Sequence, residues 1–115
     1  MRKKRTKPQR KRPAKWGKRV DDTSYLTGNR RGAVLKEEVW YDGHEVVKYS
    51  LAYINSKVYG GDNGRVLGYD NSHEDHHRHF MGEIEEIDFA GYAALVDRFE
   101  AEVWELWRLE DEQKR

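Results

Sequence analysis

Four of the five histidines in this chain fall within seven residues, a density that packing alone does not require. They are His73, His76, His77 and His79. Ionisable side chains are poor material for a core, and burying them without partners is expensive. We therefore interpret the segment from residue 69 to residue 80 as the functional centre of the protein.

The first interpretation of this histidine cluster is acid–base chemistry on RNA. Histidine gains or loses a proton near neutral pH, so two of them can take a proton from a 2′-hydroxyl and return one to the leaving oxygen. An arginine then stabilises the charge that develops on phosphorus. This scheme predicts neither a metal ion nor a cofactor. The catalytic candidates are His77, His79, Arg78, Asp70 and His73.

Two other interpretations of the cluster remain open. Together with Asp70 and Asp75 it offers enough ligands for zinc or another transition metal, although the spacing matches no standard tetrahedral pattern. Alternatively, the segment is a polar network that braces a turn, in which Asp70 and Asn71 bond backbone amides. We interpret His44, alone after an Asp-Gly turn, as a solvated turn residue.

The formal net charge of +1 conceals a strong asymmetry along the chain. Residues 1–20 contain eleven Lys and Arg and no acid, whereas the remainder carries 11 basic and 21 acidic residues. The basic segment cannot bury enough apolar surface to offset its ordering entropy. We predict a disordered arm over residues 1–24 that contacts nucleic acid by releasing counterions from phosphates. A solubilising tail, a start-site extension, or an arm lying on the protein's own acidic body are the alternatives.

The nucleic-acid-binding candidates comprise one arginine of the body together with nine basic residues and one tryptophan of the arm. They are Arg65, Lys3, Lys4, Arg5, Arg10, Lys11, Arg12, Lys15, Trp16, Lys18 and Arg19.

The apolar pattern predicts one α+β domain over residues 25–115. Alternating apolar and polar residues predict strands at about 33–41, 45–57, 65–69 and 77–82, and Asp42-Gly43 predicts a hairpin between the first two. Apolar residues at intervals of three and four predict a helix at about 89–112, with Asp88 as its N-cap. The expected fold is a four-stranded, mainly antiparallel sheet with one long C-terminal helix packed on one face.

Two details of this fold bear on function. Side chains alternate along a strand, so His77 and His79 should share one face while Arg78 points to the other. Trp104 and Trp107 fall at the edges of the helix's apolar stripe, and belong either to the margin of the core or to a protein contact surface.

Several classes of protein are excluded by composition. The chain contains no cysteine, which rules out disulfides and thiolate metal sites. No apolar run approaches the roughly 20 residues of a membrane span, and the basic N-terminus lacks the apolar segment of a secretory signal. We therefore expect a cytoplasmic protein with no membrane partner.

The residues around the cluster resemble a known family. The runs Tyr69-Asp70-Asn71-Ser72-His73, His77-Arg78-His79 and Gly82-Glu83, followed by Phe89 and Leu95-Val96-x-x-Phe99, are similar to the pattern of the TumE-type toxins of toxin–antitoxin modules. The similarity spans residues 33–103 and is most specific at 69–83. It implies a small toxin encoded beside an antitoxin, often a helix-turn-helix protein, with action on RNA as the commonest route.

The residues and the resemblance together predict a toxin that acts on RNA as a metal-independent endoribonuclease. Its expected partners are RNA and the cognate antitoxin, and a homodimer is left open. The alternative is a non-enzymatic module that binds nucleic acid or a ribosomal surface, in which the histidine loop is only structural.

Overall fold

The structure, a computed structural model, describes residues 19–113 apart from the side chain of His73. The nucleic-acid-binding candidates from Lys3 to Lys18 therefore lie outside the described residues, as does most of the predicted arm.

Six antiparallel strands form one sheet in which the spatial order follows the order along the chain. The strands are β1 (Arg19–Tyr25), β2 (Val34–Asp42), β3 (Glu45–Ile54), β4 (Arg65–Asp70), β5 (His77–Phe80) and β6 (Glu83–Glu86). One long helix, α1 (Tyr92–Gln113), follows them. The predicted α+β class, with an antiparallel sheet and a C-terminal helix, is confirmed.

The predicted number of strands was wrong, because both edge strands lack the apolar alternation that identifies a strand in sequence. β1 falls in the segment predicted to be arm and linker, and β6 has the sequence Glu-Ile-Glu-Glu. Every residue of both strands is exposed. Pairing of β1 with β2 and of β6 with β5 holds them in place, so main-chain hydrogen bonds replace burial as the stabilising contact.

The core lies between α1 and the centre of the sheet. Alternation along β3 and β4 turns large side chains toward the helix, and the helix contributes apolar residues at intervals of four. These residues are Tyr49, Leu51, Tyr53, Leu67 and Tyr69 of the sheet, each at most 2% exposed, and Leu95, Phe99 and Val103 of α1. Each large apolar side chain buried here contributes about 1.5–3 kcal/mol. We call this side of the sheet the helix face and the other side the open face.

Hydrogen bonds between tyrosine and glutamate add directional contacts along the helix. The Tyr69 hydroxyl donates to Glu102, and the Tyr53 hydroxyl donates to Glu110 Oε2 at 2.9 Å. Burial, followed by the hydrogen bond to Glu102, raises the pKa of Tyr69 to about 12. The phenol is therefore a stable donor at neutral pH.

The start of the helix was also predicted wrongly. α1 begins at Tyr92 rather than near Phe89, so Asp88 is not its N-cap. Gly91, immediately before the helix, has φ +111°, a conformation that favours glycine. Phe89, which precedes the helix, stacks on the His76 ring with centroids 3.9 Å apart.

Candidate functional site

The pairing of β4 with β5 brings three of the catalytic candidates onto the open face. Asp70 lies opposite His77, and Gly68 lies opposite His79. Directly paired residues of adjacent strands project to the same side of a sheet. His77, His79 and Asp70 therefore lie together on the face that α1 does not cover, and the common face of the two histidines matches the predicted alternation.

Arg65 is the centre of a polar cluster on this face. Its Nε donates to Asp62 Oδ2 at 2.8 Å, and its Nη2 lies 3.1 Å from His79 Nδ1. Its Nη1 is 3.7 Å from Asp70 Oδ2, and the same oxygen is 2.9 Å from His79 Nε2. We call Asp62, Arg65, Asp70 and His79 the open-face cluster.

These contacts define the state of the His79 ring. A guanidinium can only donate, so Nδ1 is the acceptor and the ring proton is assigned to Nε2. Nε2 is buried and faces Asp70, although no hydrogen bond of normal geometry joins them. Arg65 and Asp70 thus hold the imidazole between a cation and an anion.

Gly68 makes room for the arginine. A Cβ at this position would lie 2.7 Å from Arg65 Cδ, so a larger residue would displace the side chain that crosses β4. Gly68 and Asp62 were not among the sequence candidates. A glycine inside a strand is nevertheless a signal of close approach by another group, and Asp62 belongs to an evident turn sequence.

His77 differs from His79 in having no partner among the described residues. It is half-buried, its ring centroid is 6.5 Å from that of His79, and it makes no hydrogen bond or ion pair with any described group. Neither of its ring nitrogens is engaged by a described side chain.

A concave surface adjoins the cluster on the open face. It encloses about 270 Å³ and includes two cations, Lys36 and Arg65. The other residues that line it are Glu38, Ser50, Ala52, Ile54, Asp62 and Asn63. Glu38 and Asp62 balance the charges of Lys36 and Arg65, so the cavity is polar, and it meets the open-face cluster at Asp62 and Arg65.

Arg78, the arginine between the two histidines in sequence, lies on the helix face. Its Nη2 is 2.9 Å from Glu102 Oε2 of α1, and its Nη1 is 3.7 Å from Glu85 Oε2 of β6. Burial works to lower the pKa of Arg78, but the hydrogen bonds to Glu102 outweigh it and raise the pKa. The sheet therefore separates Arg78 from His77, His79 and Asp70.

The turn after β4 is held by side chains that imitate backbone. Asn71 Nδ2 donates to the Val47 carbonyl at 3.0 Å, and Asn71 Oδ1 accepts from the Tyr49 amide at 3.0 Å. The amide thus continues the β3–β4 ladder past its last paired residue. Asp70 Oδ1 accepts from the Ser72 amide at 3.3 Å. This turn therefore has the structural role that the third interpretation assigned to it, in which polar side chains brace a turn by bonding backbone amides.

His76 also belongs to the helix face. Its Nδ1 lies 2.8 Å from the Tyr49 hydroxyl, and its ring stacks on Phe89. Burial, followed by the charge of Asp70, raises the pKa of Tyr49 to about 12, so the phenol in this hydrogen bond keeps its proton at neutral pH. The side chain of His73 lies outside the described residues, and His44 is exposed in the turn between β2 and β3.

The described side chains contain no group of three histidines, aspartates or glutamates arranged to hold a metal ion. In the open-face cluster, the guanidinium of Arg65 contacts both carboxylates and the imidazole.

Of the arm candidates, Arg19 is described, and it is the first residue of β1. Its guanidinium lies 2.8 Å from both Asp21 and Glu38, and it stacks over the Trp40 ring at 4.9 Å. Its charge is therefore matched by carboxylates of the same sheet.

The fold and the site define a small α+β protein that displays a histidine, arginine and aspartate cluster on an uncovered sheet face. A family model described as Toxin TumE matches residues 17–107, and the chain belongs to this family. It is thus a toxin of a toxin–antitoxin module, and a cognate antitoxin is its implied partner. No curated protein and no solved structure matches the chain significantly. No helix among residues 19–113 has both the length and the apolar character needed to cross a bilayer.

Proposed function

We propose that this toxin cleaves RNA as a metal-independent endoribonuclease, with the open-face cluster and His77 as its site. One observation carries the proposal: two histidines and an arginine held by carboxylates occur together on the uncovered face, beside a cavity of about 270 Å³. Acid, base and phosphate-binding groups are the components that RNA transesterification requires.

Phosphate binding is the first step of the proposed reaction. Arg65 carries several donors in a rigid fork that suits phosphate, and Lys36 on the cavity wall adds a second positive charge. Asp62 and Asp70 orient the guanidinium while the cavity is empty. When a phosphate enters, Arg65 turns Nη2 toward it and releases Nδ1 of His79.

The chemical step uses the two histidines in opposite roles. His77 takes the proton from the 2′-hydroxyl, and the 2′-oxygen forms a bond to phosphorus. Once Arg65 has released it, Nδ1 of His79 takes up a proton from water. The bond from phosphorus to the 5′-oxygen then breaks, and the leaving oxygen receives that proton. Asp70, 2.9 Å from Nε2, stabilises the imidazolium form of His79 that makes this transfer. The products are a 2′,3′-cyclic phosphate and a 5′-hydroxyl.

The other sequence candidates take different places in this scheme. Arg78 acts indirectly, because its ion pair with Glu102 ties β5 to α1 and so fixes the strand that carries both histidines. His73 remains a prediction, since its position on the turn between Asp70 and His77 is all that supports a role.

The basic arm is proposed to supply sequence-independent affinity for RNA. Because β1 begins at Arg19, deleting residues 1–18 removes ten of the arm's eleven basic residues and leaves the strand whole. The deletion should weaken RNA binding, and the slope of log affinity against log salt should fall by about 0.7 for each phosphate that the arm no longer neutralises. An unchanged slope would show that the arm does not neutralise RNA phosphates.

The decisive experiment compares a His77→Ala/His79→Ala variant with a His44→Ala control. His44 is exposed in a turn, so its substitution shows the effect of removing a histidine that is not part of the proposed site. We expect the double variant to cleave RNA at least about 100-fold more slowly and to lose growth arrest, while the control retains both. Circular dichroism and thermal melts establish that all three proteins fold. A folded double variant as active as the parent would refute the enzyme and favour the non-enzymatic binding module.

A further inference from the structure

α1 leaves part of the helix face uncovered. The helix packs chiefly against β3 and β4, while β1 and β2 extend the sheet beyond it. Two adjoining cavities of about 160 and 170 Å³ lie along this flank of the helix and share Leu35, Phe99 and Glu100. Together they form one groove between α1 and the β1–β2 edge, which we call the flank groove.

The flank groove has an apolar floor and an acidic rim. Leu35 and Leu51 of the sheet line the floor together with Val96, Phe99 and Val103 of α1. Asp22, Glu37 and Glu100 stand along its sides, and Lys36, which also borders the groove, alternates with Leu35 and Glu37 so that its side chain projects to the open face. The groove therefore offers hydrophobic burial to a partner whose flanking residues are positively charged.

The groove lies where a second helix would pack on the sheet beside α1. Neighbouring strands are about 4.8 Å apart, so β1 lies roughly 10 Å from β3 across the sheet. Packed helices have axes about 8–10 Å apart. A helix laid beside α1 would thus rest over β1 and β2, where the flank groove runs.

Charge selects among the possible occupants. α1 contains seven acidic and two basic residues, a net charge of −5, and more acids stand on the strands across the groove. A nucleic acid would be repelled, and the α1 face of a second copy would bring the same acidic surface against itself. A helix with an apolar stripe between basic residues matches both the apolar floor of the groove and the acidic residues along its sides.

We propose that the flank groove binds a cationic amphipathic helix of the cognate antitoxin. The proposal depends only on the antitoxin that the toxin family implies. It does not depend on the proposed RNA cleavage. Trp104 is its anchor: the side chain lines the groove and is 68% exposed, an unusual degree for tryptophan. Exposed tryptophans that become buried on binding often dominate an interface.

The two tryptophans that the sequence left ambiguous therefore have different roles. Trp107 meets the Tyr53 ring edge-on at a centroid distance of 6.1 Å, and Arg30 covers it at 4.7 Å. It belongs to the margin of the core. Trp104 touches Trp107 at 5.4 Å but keeps its outer surface open, as a contact residue would.

The test measures binding of purified cognate antitoxin to the full-length toxin by calorimetry. Trp104→Ala removes the anchor, and Glu100→Lys reverses a rim charge. Both sites are exposed, so the variants should melt as the parent does. Arg108→Ala is the control, because Arg108 is also exposed on α1 and lines neither cavity. We expect each groove variant to bind about 30-fold more weakly and the control to bind normally.

The same variants are expressed with the antitoxin in growing cells. Growth arrest that the antitoxin no longer relieves is the expected result for both groove variants. Undiminished binding by folded Trp104→Ala and Glu100→Lys would overturn the proposal. The proposal would also be overturned if the parent protein were a dimer and Trp104→Ala made it monomeric. That result would show that a second copy of this chain occupies the groove. Weaker RNA binding with intact antitoxin binding would also overturn it. Calorimetry with antitoxin needs no RNA, so the result is independent of any ribonuclease assay.

Discussion

The two faces of the sheet use the same kinds of charged residue for different purposes. On the helix face, Arg78 pairs with Glu102, which is carried by a different element, so the contact joins α1 to the sheet. On the open face, Arg65 pairs with Asp62, Asp70 and His79, all of which lie on β4, β5 or the turn before β4. Ionic contacts on the helix face therefore stabilise the assembly of elements, whereas those on the open face arrange a local site.

This contrast predicts the largest effect on activity at Arg65. Arg65→Ala removes the proposed phosphate-binding group, and we expect kcat/KM for RNA cleavage to fall by about 10²- to 10³-fold. The loss in free energy of unfolding should be smaller than for Arg78→Ala, because the partners of Arg65 lie on β4, β5 and the turn before β4, so no contact between the sheet and α1 is lost. Cleavage kinetics and urea unfolding measure the two quantities. A large loss of stability with unchanged cleavage kinetics would instead show that Arg65 stabilises the fold and does not bind phosphate.

Arg78→Ala should show the opposite pattern. It leaves Glu102 half-buried without its cation and removes a link between β5 and α1, so we expect a loss of about 2–3 kcal/mol in stability. The folded fraction should retain most of its activity, because Arg78 does not reach the open face. Loss of activity without loss of stability would show that Arg78 acts directly on the ligand.

Asn71→Ala tests whether the turn beside the site is structural. Its side chain makes two backbone hydrogen bonds to β3, and their loss should cost about 1–2 kcal/mol. Hydrogen exchange at the Tyr49 amide should become faster, since that amide loses its acceptor. Ser72→Ala, in the same turn, is the control. Protection of the Tyr49 amide that survives in Asn71→Ala would contradict the proposed continuation of the ladder.

The smallest effect at neutral pH is expected from the buried tyrosines of the helix face, whose contribution to stability changes only at alkaline pH. Burial raises the pKa of Tyr49 and of Tyr69 from 10.0 to about 12. The folded state therefore keeps these protons where the unfolded state loses them, so stability is complete below pH 10 and falls as pH rises toward 12. Tyr69→Phe should flatten this decline in chemical unfolding experiments, and Tyr25→Phe should not, because Tyr25 is 79% exposed. Equal slopes in the two variants would contradict the prediction.

Secondary structure could be predicted where burial leaves a periodic pattern. β3 and α1 lie close to the predicted segments because their apolar residues recur at the spacing of a strand and of a helix. β1 and β6 could not be found in this way. Their side chains are exposed, and they are strands because an adjacent backbone offers hydrogen bonds, which no local pattern records.

The site was predicted in part for a similar reason. Residues two apart in a strand share a face, so the common orientation of His77 and His79 follows from sequence spacing. The contribution of Asp62 and the need for glycine at position 68 depend on how a turn and a neighbouring strand meet. Both residues act through Arg65, and its contact with His79 arises only when β4 pairs with β5.

The sequence by itself determined the density of histidines, the charge asymmetry of the chain and the alternation that separates His79 from Arg78. Only the tertiary structure decided which arginine joins the histidines. Arg78 is adjacent to both in sequence, but the pleat of β5 turns it beneath α1. Arg65 is distant in sequence, but antiparallel pairing brings β4 alongside β5, and the missing side chain at Gly68 lets it reach His79.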